Sequence, residues 1–324
     1  MAFIKFLIPS LICLLVSSNV LALPDVKITL KVVDEAGLPI EGASATVNFK
    51  AGTEGHGETK KTDSDGLATL SGSSARFIED GAVKEGYYPT WYEKSFTEFT
   101  GIKGFRRWQP WDETLVLVLR KIINPRELYI GNLQGKRLGK PITVPGKDRE
   151  YGYDLIAQDW VAPHGLGTHK DFVFKLNGKT TGRREYDYIL TLSFSNDGDG
   201  IQEYTAHPIY GSRLRLPHEA PQGGYESELV QRQASTFERF IAYDFPEDQN
   251  YFFRIRTKKD EKGNIESALY GKIYGNIMFS PSKKATIDFL YYLNPDTNDR
   301  NLESDYKKNL FPSKLKFGYL EYPP

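Results

Sequence analysis

The sequence is poor in cysteine: Cys13 is the only one among its 324 residues. This residue lies inside an apolar run, residues 6–16, which a polar Ser-Ser-Asn shoulder follows. Residues 1–22 therefore have the pattern of a secretory signal peptide, with Val20 and Ala22 at the expected cleavage site. We expect a mature chain without thiols or disulfides, which excludes cysteine catalysis and redox chemistry and leaves the hydrophobic core to stabilise the fold.

An excess of charge of one sign is missing too, since 42 basic residues balance 42 acidic ones. Nucleic-acid binding and electrostatic attachment to membranes both need clustered Lys and Arg, so we expect neither. No apolar run reaches the length of about 20 residues that a membrane-spanning helix needs. The sequence therefore predicts no membrane span and a location in the periplasm or outside the cell.

The sequence also lacks the fingerprints of common enzyme classes. It contains no GxSxG elbow, no HExxH pair and no glycine-rich phosphate loop. We therefore favour a protein without catalytic activity, cofactor or bound metal. An enzyme of an unfamiliar type stays open.

Period-two alternation of apolar residues recurs along the whole chain and predicts an all-β fold. Segments 26–33 and 43–49 each place every second residue on an apolar face. The run LVLVL at 115–119 is apolar on both faces, which predicts a central strand. The many short strands predict two antiparallel β-sandwich domains, at 23–122 and 123–324.

Two features of this organisation stay open. Segment 226–240 spaces Leu229, Val230, Ala234, Phe237 and Phe240 as a helix would, so either a helix or a strand is possible there. The domain boundary is expected near residues 121–131, with the Gly- and Pro-rich stretch 135–147 as the alternative.

Residues 25–121 resemble a known module. Asp34 to Gly37 with Pro39, then Gly42-Ala43, Asp63 to Gly66 and Val83 to Tyr87 follow the order found in the carboxypeptidase regulatory-like domain. The resemblance implies a Greek-key, prealbumin-like β-sandwich without catalytic residues, which serves as a docking or folding unit. Asp63 and Asp65 supply too few carboxylates for a calcium loop. We expect the 63–66 turn to close a hairpin in which Gly66 adopts positive φ.

The stretch QDWVAPHGLGTHKDF at 158–172 is the main candidate for chemistry. It places Asp159, His164, His169 and Asp171 in one loop, and imidazole with carboxylate is a ligand set for zinc or iron. The alternative is a structural loop that Trp160 anchors in the core while its polar side chains bond the backbone. His207 and His218 would favour a site only if the fold brought them to this loop.

A second carboxylate cluster, Asp197, Asp199 and Glu203, follows the strand that ends at Phe194. Hydrolytic acids must face each other across a cleft, which neighbouring loop residues seldom do. We interpret this segment as a hairpin turn with solvated charges.

The third candidate is an aromatic segment at residues 86–113, which contains Trp91, Tyr92, Trp108 and Trp111. These side chains form either a platform for sugar rings or a packing surface between the two domains. The sequence thus favours a secreted or periplasmic binding protein for a carbohydrate or a cell-surface partner. The alternative is a hydrolase or metal-dependent enzyme with its site at 159–171.

Overall fold

A computed structural model describes residues 23–51, 54–102, 105–131, 141–206, 211–246, 248–282 and 284–311. The predicted signal peptide and His207 lie outside these ranges. The described residues form β-strands, turns and loops without a helix, so the all-β fold class is confirmed. A helix long and apolar enough to cross a membrane is accordingly not found in this part of the chain.

The residues up to Lys121 form eleven of the described strands. They are β1 (Asp25–Val33), β2 (Ser44–Ala51), β3 (Glu54–Lys61), β4 (Leu67–Ser73), β5 (Phe77–Val83), β6 (Tyr87–Tyr88), β7 (Thr90–Ser95), β8 (Phe99–Thr100), β9 (Arg107–Trp108), β10 (Glu113–Val118) and β11 (Arg120–Lys121).

The residues from Arg126 onward form the remaining described strands. They are β12 (Arg126–Gly131), β13 (Ile142–Thr143), β14 (Glu150–Asp154), β15 (Asp159–Trp160), β16 (Phe172–Gly182), β17 (Glu185–Ser193), β18 (Gly200–Thr205), β19 (Glu228–Ser235), β20 (Phe240–Tyr243), β21 (Gln249–Lys259), β22 (Ile265–Ser280), β23 (Thr286–Leu293) and β24 (Ser304–Asn309).

The N-terminal strands build a sandwich of two facing sheets. One sheet has the order β10-β1-β9-β8, with β4 also paired to β1, and the other has the order β3-β2-β5-β7. The predicted apolar faces of β1 and β2 meet in a single buried cluster, because alternate residues of both strands point inward. The pairs β1–β10 and β1–β9 are parallel, so this sheet is mixed rather than purely antiparallel.

The C-terminal strands build a second, larger sandwich. Its sheets have the orders β18-β21-β22-β23-β12-β24, with β13 on β23, and β15-β14-β16-β17-β19-β20. Their inward faces share one cluster rich in Phe and Tyr. A further buried cluster covers the outer face of the first of these sheets, against which residues 214–220 pack.

The contact between the two sandwiches is polar and specific. The buried carboxylate of Glu303 accepts hydrogen bonds from Tyr88 Oη at 2.8 Å, Ile123 N at 3.0 Å and Asn124 N at 2.6 Å. Arg120 donates to the carbonyl oxygens of Leu214 and Leu216. These bonds connect the end of the first sandwich to the second.

The structure decides one open strand prediction and corrects two others. Segment 226–240 forms the antiparallel strands β19 and β20, which is the strand alternative. The run LVLVL lies in β10 up to Val118. This strand pairs only with β1 among the described strands and leaves Val116 exposed, so it is an edge strand. The 63–66 turn joins β3 to β4, which belong to different sheets, although Gly66 has the expected positive φ of 75°.

Asp80 is a fully buried carboxyl group of the N-terminal sandwich, and neither of its oxygens has a hydrogen bond among the described residues. Asp80 lies on the inward face of β5 between Val47 and Tyr92, and both its oxygens are buried and unbonded. Burial raises the pKa of Asp80 to about 7, although the charge of Lys94 acts in the opposite direction. The folded state therefore favours the protonated carboxyl.

We predict that Asp80 makes this protein less stable as the pH rises from about 4 to 7. Because the folded state retains a proton that the unfolded chain releases, the stabilisation present below the ordinary pKa of 3.8 is lost by about pH 7. The loss should amount to a few kcal/mol, at about 1.4 kcal/mol per pKa unit. Urea denaturation across this pH range should show a flatter profile for Asp80→Asn.

The matched control is Asp65→Asn, at an exposed turn position. This substitution should leave the pH profile as it is in the unmodified protein. Equal slopes for Asp80→Asn and the unmodified protein would contradict the prediction.

Candidate functional site

The loop at 158–172 is organised around the buried carboxylate of Asp154. Its Oδ1 accepts hydrogen bonds from Ile156 N at 3.0 Å and Ala157 N at 2.9 Å, and its Oδ2 from Thr168 N at 2.9 Å and His169 N at 3.0 Å. Burial acts to raise the pKa of Asp154, but these backbone donors and a nearby arginine lower it to about 2. This carboxylate therefore stays charged and fixes the loop.

Arg256, on the opposite sheet, completes the network. It donates to Asp171 through Nε and Nη2, both at 2.8 Å, and to Asp154 Oδ1 at 3.2 Å. Its φ of 55° falls at a register shift of β21 between Ile255 and Lys258, and such bulges re-aim side chains. The network thus joins the two sheets of the C-terminal sandwich.

The structure does not bring the four loop candidates to one point. Asp159 accepts from the backbone N–H groups of Trp160 and Leu166, at 2.8 Å each. His164 contacts the edge of Tyr151, with ring centroids 5.0 Å apart. His169 is exposed beside Thr168, whereas Asp171 is buried against Arg256. Trp160 is buried, so the features of the structural-loop alternative are present.

The other candidate ligands are dispersed. His218 lies at the contact between the sandwiches, with Nε2 2.9 Å from Lys121 O. Across the described ranges, no group of three or more His, Cys, Asp or Glu side chains is arranged to hold a metal ion.

The 196–203 segment differs from the interpretation as a turn with solvated charges. Asp197 is exposed and pairs with Lys259, but Asp199 is buried. Asp199 accepts from Thr257 N at 2.8 Å and from Arg256 N at 3.1 Å, and burial raises its pKa. Asp199 therefore stabilises the bulge of β21. Glu203 instead lines the cleft described below.

The aromatic segment divides between core and surface. Trp108 is only 7% exposed, stacks on Phe96 and donates from Nε1 to Ser74 O at 2.8 Å. The indole of Trp111 lies 4.7 Å from the guanidinium of Arg107.

Trp91 and Tyr92 are each 45% exposed, but as successive residues of β7 they point to opposite faces. The ring of Trp91 lies directly over Gly81, where no side chain would fit. Trp91 is therefore the one residue of the four that presents a supported flat surface to solvent.

A cleft of about 430 Å³ opens between the two sheets of the C-terminal sandwich. Its lining comes from β18, β19, β21 and the end of β20 with the segment that follows it. The lining residues are Glu203, Val230, Gln231, Tyr243, Asp244, Phe245, Pro246, Gln249 and Tyr251. Its volume lies within the range of small-molecule sites, about 300–1,000 Å³. Tyr243 is 49% exposed on its wall, so an aromatic surface is accessible to a ligand.

Gln231 is the most informative residue of the cleft. It is only 4% exposed, and its Nε2 lies 3.1 Å from Tyr251 Oη and 3.5 Å from Asp244 O. Because a carbonyl oxygen can only accept, the contact with Asp244 O favours nitrogen at this end of the amide. The buried Oε1 is left without a hydrogen-bond partner among the described residues.

Sequence analysis missed this cleft. The available signal was a pair of glutamines, Gln231 and Gln233, at alternate positions between Leu229 and Ser235, where an inward face is normally apolar. Burial also raises the pKa of Tyr251, and the nearby charge of Glu203 adds to this effect, so its hydroxyl stays protonated as a hydrogen-bond donor.

A second cavity, of about 250 Å³, lies at the contact between the sandwiches and is lined by Glu35, Arg120 and Arg215 among others. Arg120 already bonds Glu35 and two backbone carbonyls there. The buried Oγ of Ser212, which also lines this cavity, has no hydrogen-bond partner among the described residues, but the volume lies below the usual lower bound of about 300 Å³ for small-molecule sites.

No protein-family profile matches this sequence, and no curated protein matches it. Among solved structures, a streptococcal ancillary pilin is similar at a TM-score of 0.21 and 10% identity over 84% of this chain, which spans 59% of that pilin. The major pilin subunit of Bacillus cereus gives a TM-score of 0.23 at 11% identity, covering 83% of this chain and 85% of the pilin. A proposed carbohydrate-binding protein from Bacteroides uniformis gives 0.18 at 15% identity, covering 83% and 96%. At these TM-scores the similarities carry no argument about function.

We predict that Arg256→Leu destabilises the protein by about 3–5 kcal/mol, because it leaves Asp154 and Asp171 buried without their positive partner. Thermal or urea denaturation would measure the loss. The control is Arg232→Leu, which removes an exposed ion pair with Asp187 and should cost less than about 1 kcal/mol. Equal effects of the two substitutions would show that the buried network does not hold the sheets together.

Proposed function

We propose that this chain is an exported, non-catalytic binding protein that takes a carbohydrate into the cleft between the sheets of its C-terminal sandwich. The observation that carries this proposal is Gln231 in the lining of an open cleft, with its buried Oε1 left without a partner among the described residues. A buried acceptor without a partner costs about 1–3 kcal/mol, which a ligand hydroxyl donating to it would recover.

The other lining groups suit a sugar. The carboxylates of Glu203 and Asp244 accept hydrogen bonds from hydroxyl groups, and the Tyr251 hydroxyl can donate one. The exposed ring of Tyr243 offers an apolar face for the C–H surface of a pyranose. A few placed polar groups around an aromatic wall form the usual composition of a small-molecule site.

The rest of the chain supports presentation of such a site outside the cytoplasm. We propose export through residues 1–22 and a division into two domains, residues 23–122 and 123–324. Among the described strands, each ladder stays within one of these segments. In this proposal the N-terminal sandwich is the regulatory-like docking unit, and the buried Glu303 holds it in a fixed orientation to the ligand-binding domain.

Trp91 provides a second candidate surface. Its ring is supported by Gly81 and half exposed, so it could stack on a sugar as the sequence predicted. It lies on β7, outside the lining of the intersheet cleft, and we therefore rank it second. The hydrolase alternative has less support, because Asp159 and Asp171 bond their own loop and Arg256.

Gln231→Leu should abolish or weaken glycan binding at least tenfold, because the buried acceptor is lost from the cleft. A glycan-array screen of the purified full chain would find the ligand, and calorimetric titration would give the affinities. The matched control is Gln202→Leu. Gln202 also has a buried, unbonded Oε1, but it points away from the cleft on β18. A silent array, or equal losses in both variants, would contradict the proposal.

Comparing Tyr243→Ala with Trp91→Ala separates the two surfaces, since the two rings are exposed to about the same extent. We expect Tyr243→Ala to lower the affinity for the array-identified glycan about tenfold and Trp91→Ala to leave it within twofold. The reverse pattern would move the site to the N-terminal sandwich. Thermal melts of both variants would confirm that they are folded.

A further inference from the structure

The charge of the cleft is one-sided. Its ionisable lining residues are the acids Glu203 and Asp244 and the tyrosines Tyr243 and Tyr251, and none of the described lining residues is basic. Two carboxylates and the neutral acceptor of Gln231 therefore surround a space that contains no positive partner.

The neighbouring arginine lies outside the cleft lining, although its charge interacts with that of Asp244. Arg232 lies between Gln231 and Gln233 on β19, so its side chain points to the opposite face of the sheet. There its guanidinium donates to both oxygens of Asp187, at 3.0 and 2.8 Å. Within the described part of the chain, the Asp244 carboxylate accepts a hydrogen bond from the backbone N–H of Arg232, at 2.9 Å, and none from its guanidinium.

We infer that the ligand of this cleft carries a protonated amine, as an amino sugar does, which Glu203, Asp244 and the Oε1 of Gln231 would bind together. This inference rests on the proposed function and specifies its ligand class. An ammonium group has three donors and no acceptor, so it matches a set of groups that can only accept. The exposed ring of Tyr243 favours a cation near its face.

A neutral sugar should bind to this cleft less tightly. Its hydroxyl groups can donate to the same oxygens, but they leave two carboxylates without a counter-charge. A sugar acid would meet direct repulsion from Glu203 and Asp244. The affinity of the cleft should therefore be highest for sugars that carry an amine, lower for those that carry a hydroxyl or acetamide group, and lowest for those that carry a carboxylate.

Three β-1,4-linked tetrasaccharides test this order, because they differ at one substituent of each sugar ring. This substituent is an amine in fully deacetylated chitotetraose, an acetamide in chitotetraose and a hydroxyl in cellotetraose. Titration calorimetry at mildly acidic pH and low salt should show at least tenfold tighter binding of the deacetylated tetramer. Added salt should reduce this preference, because screening weakens charge pairing at exposed groups.

The double variant Glu203→Gln, Asp244→Asn should lose the preference for the amine while it keeps the neutral acceptors. The control variant is Glu266→Gln. It removes an exposed acid on β22 outside the cleft and should keep the preference for the amine.

The outcomes separate the two proposals. Equal affinity for all three tetramers, or no binding of the deacetylated one by a protein that binds another glycan, would overturn the inference and leave the proposed function in place. No binding of any glycan on the array would overturn the proposed function itself. A preference that persists in the double variant would also overturn the inference, because the amine would then be recognised elsewhere.

Discussion

The salt-bridge network of Arg256 with Asp154 and Asp171 is the interaction on which the C-terminal sandwich depends. It connects β21 of one sheet to the loops that flank β14 and β16 of the other. Tyr251, in the wall of the cleft, lies five residues before Arg256 on the same strand, or about 16 Å at about 3.3 Å per residue. The two sheets are thus joined by charge at one end of β21 and separated by an open cleft at the other.

The buried polar groups of this protein fall into two classes. Asp154, Asp171 and Glu303 are surrounded by donors, and each holds two parts of the chain together. Asp80 and Gln231 are also buried, but both carboxyl oxygens of Asp80 and the Oε1 of Gln231 lack partners among the described residues. Asp80 faces a closed core, where the result is a raised pKa, whereas Gln231 faces a cleft that a ligand can enter.

Sequence alternation predicted much of the fold for a physical reason. In β1 and β2 every second residue is apolar and buried, so the pattern and the core agree. In segment 226–240 they disagree, because Leu229 and Ala234 are both buried although they lie on opposite faces of β19, while Val230, Phe237 and Phe240 are exposed. The helical spacing there combined residues from opposite faces of a strand. The edge position of β10 depends on which strands lie beside it, and alternation holds no such information.

The loop at 158–172 was correctly singled out as unusual, but its organisation depends on a residue that is distant in sequence. Arg256 follows Asp171 by 85 positions, and the carboxylate that orders the loop, Asp154, precedes the motif. The cleft shows the same limit, because its lining comes from four separate strands or loops.

The most direct test of this account is a crystal structure of the full chain grown with the tightest-binding glycan from an unbiased array. The account predicts density for a sugar between the two sheets, with a ligand donor within hydrogen-bond distance of Gln231 Oε1. Sugar density on the ring of Trp91, with the cleft holding only water, would contradict it.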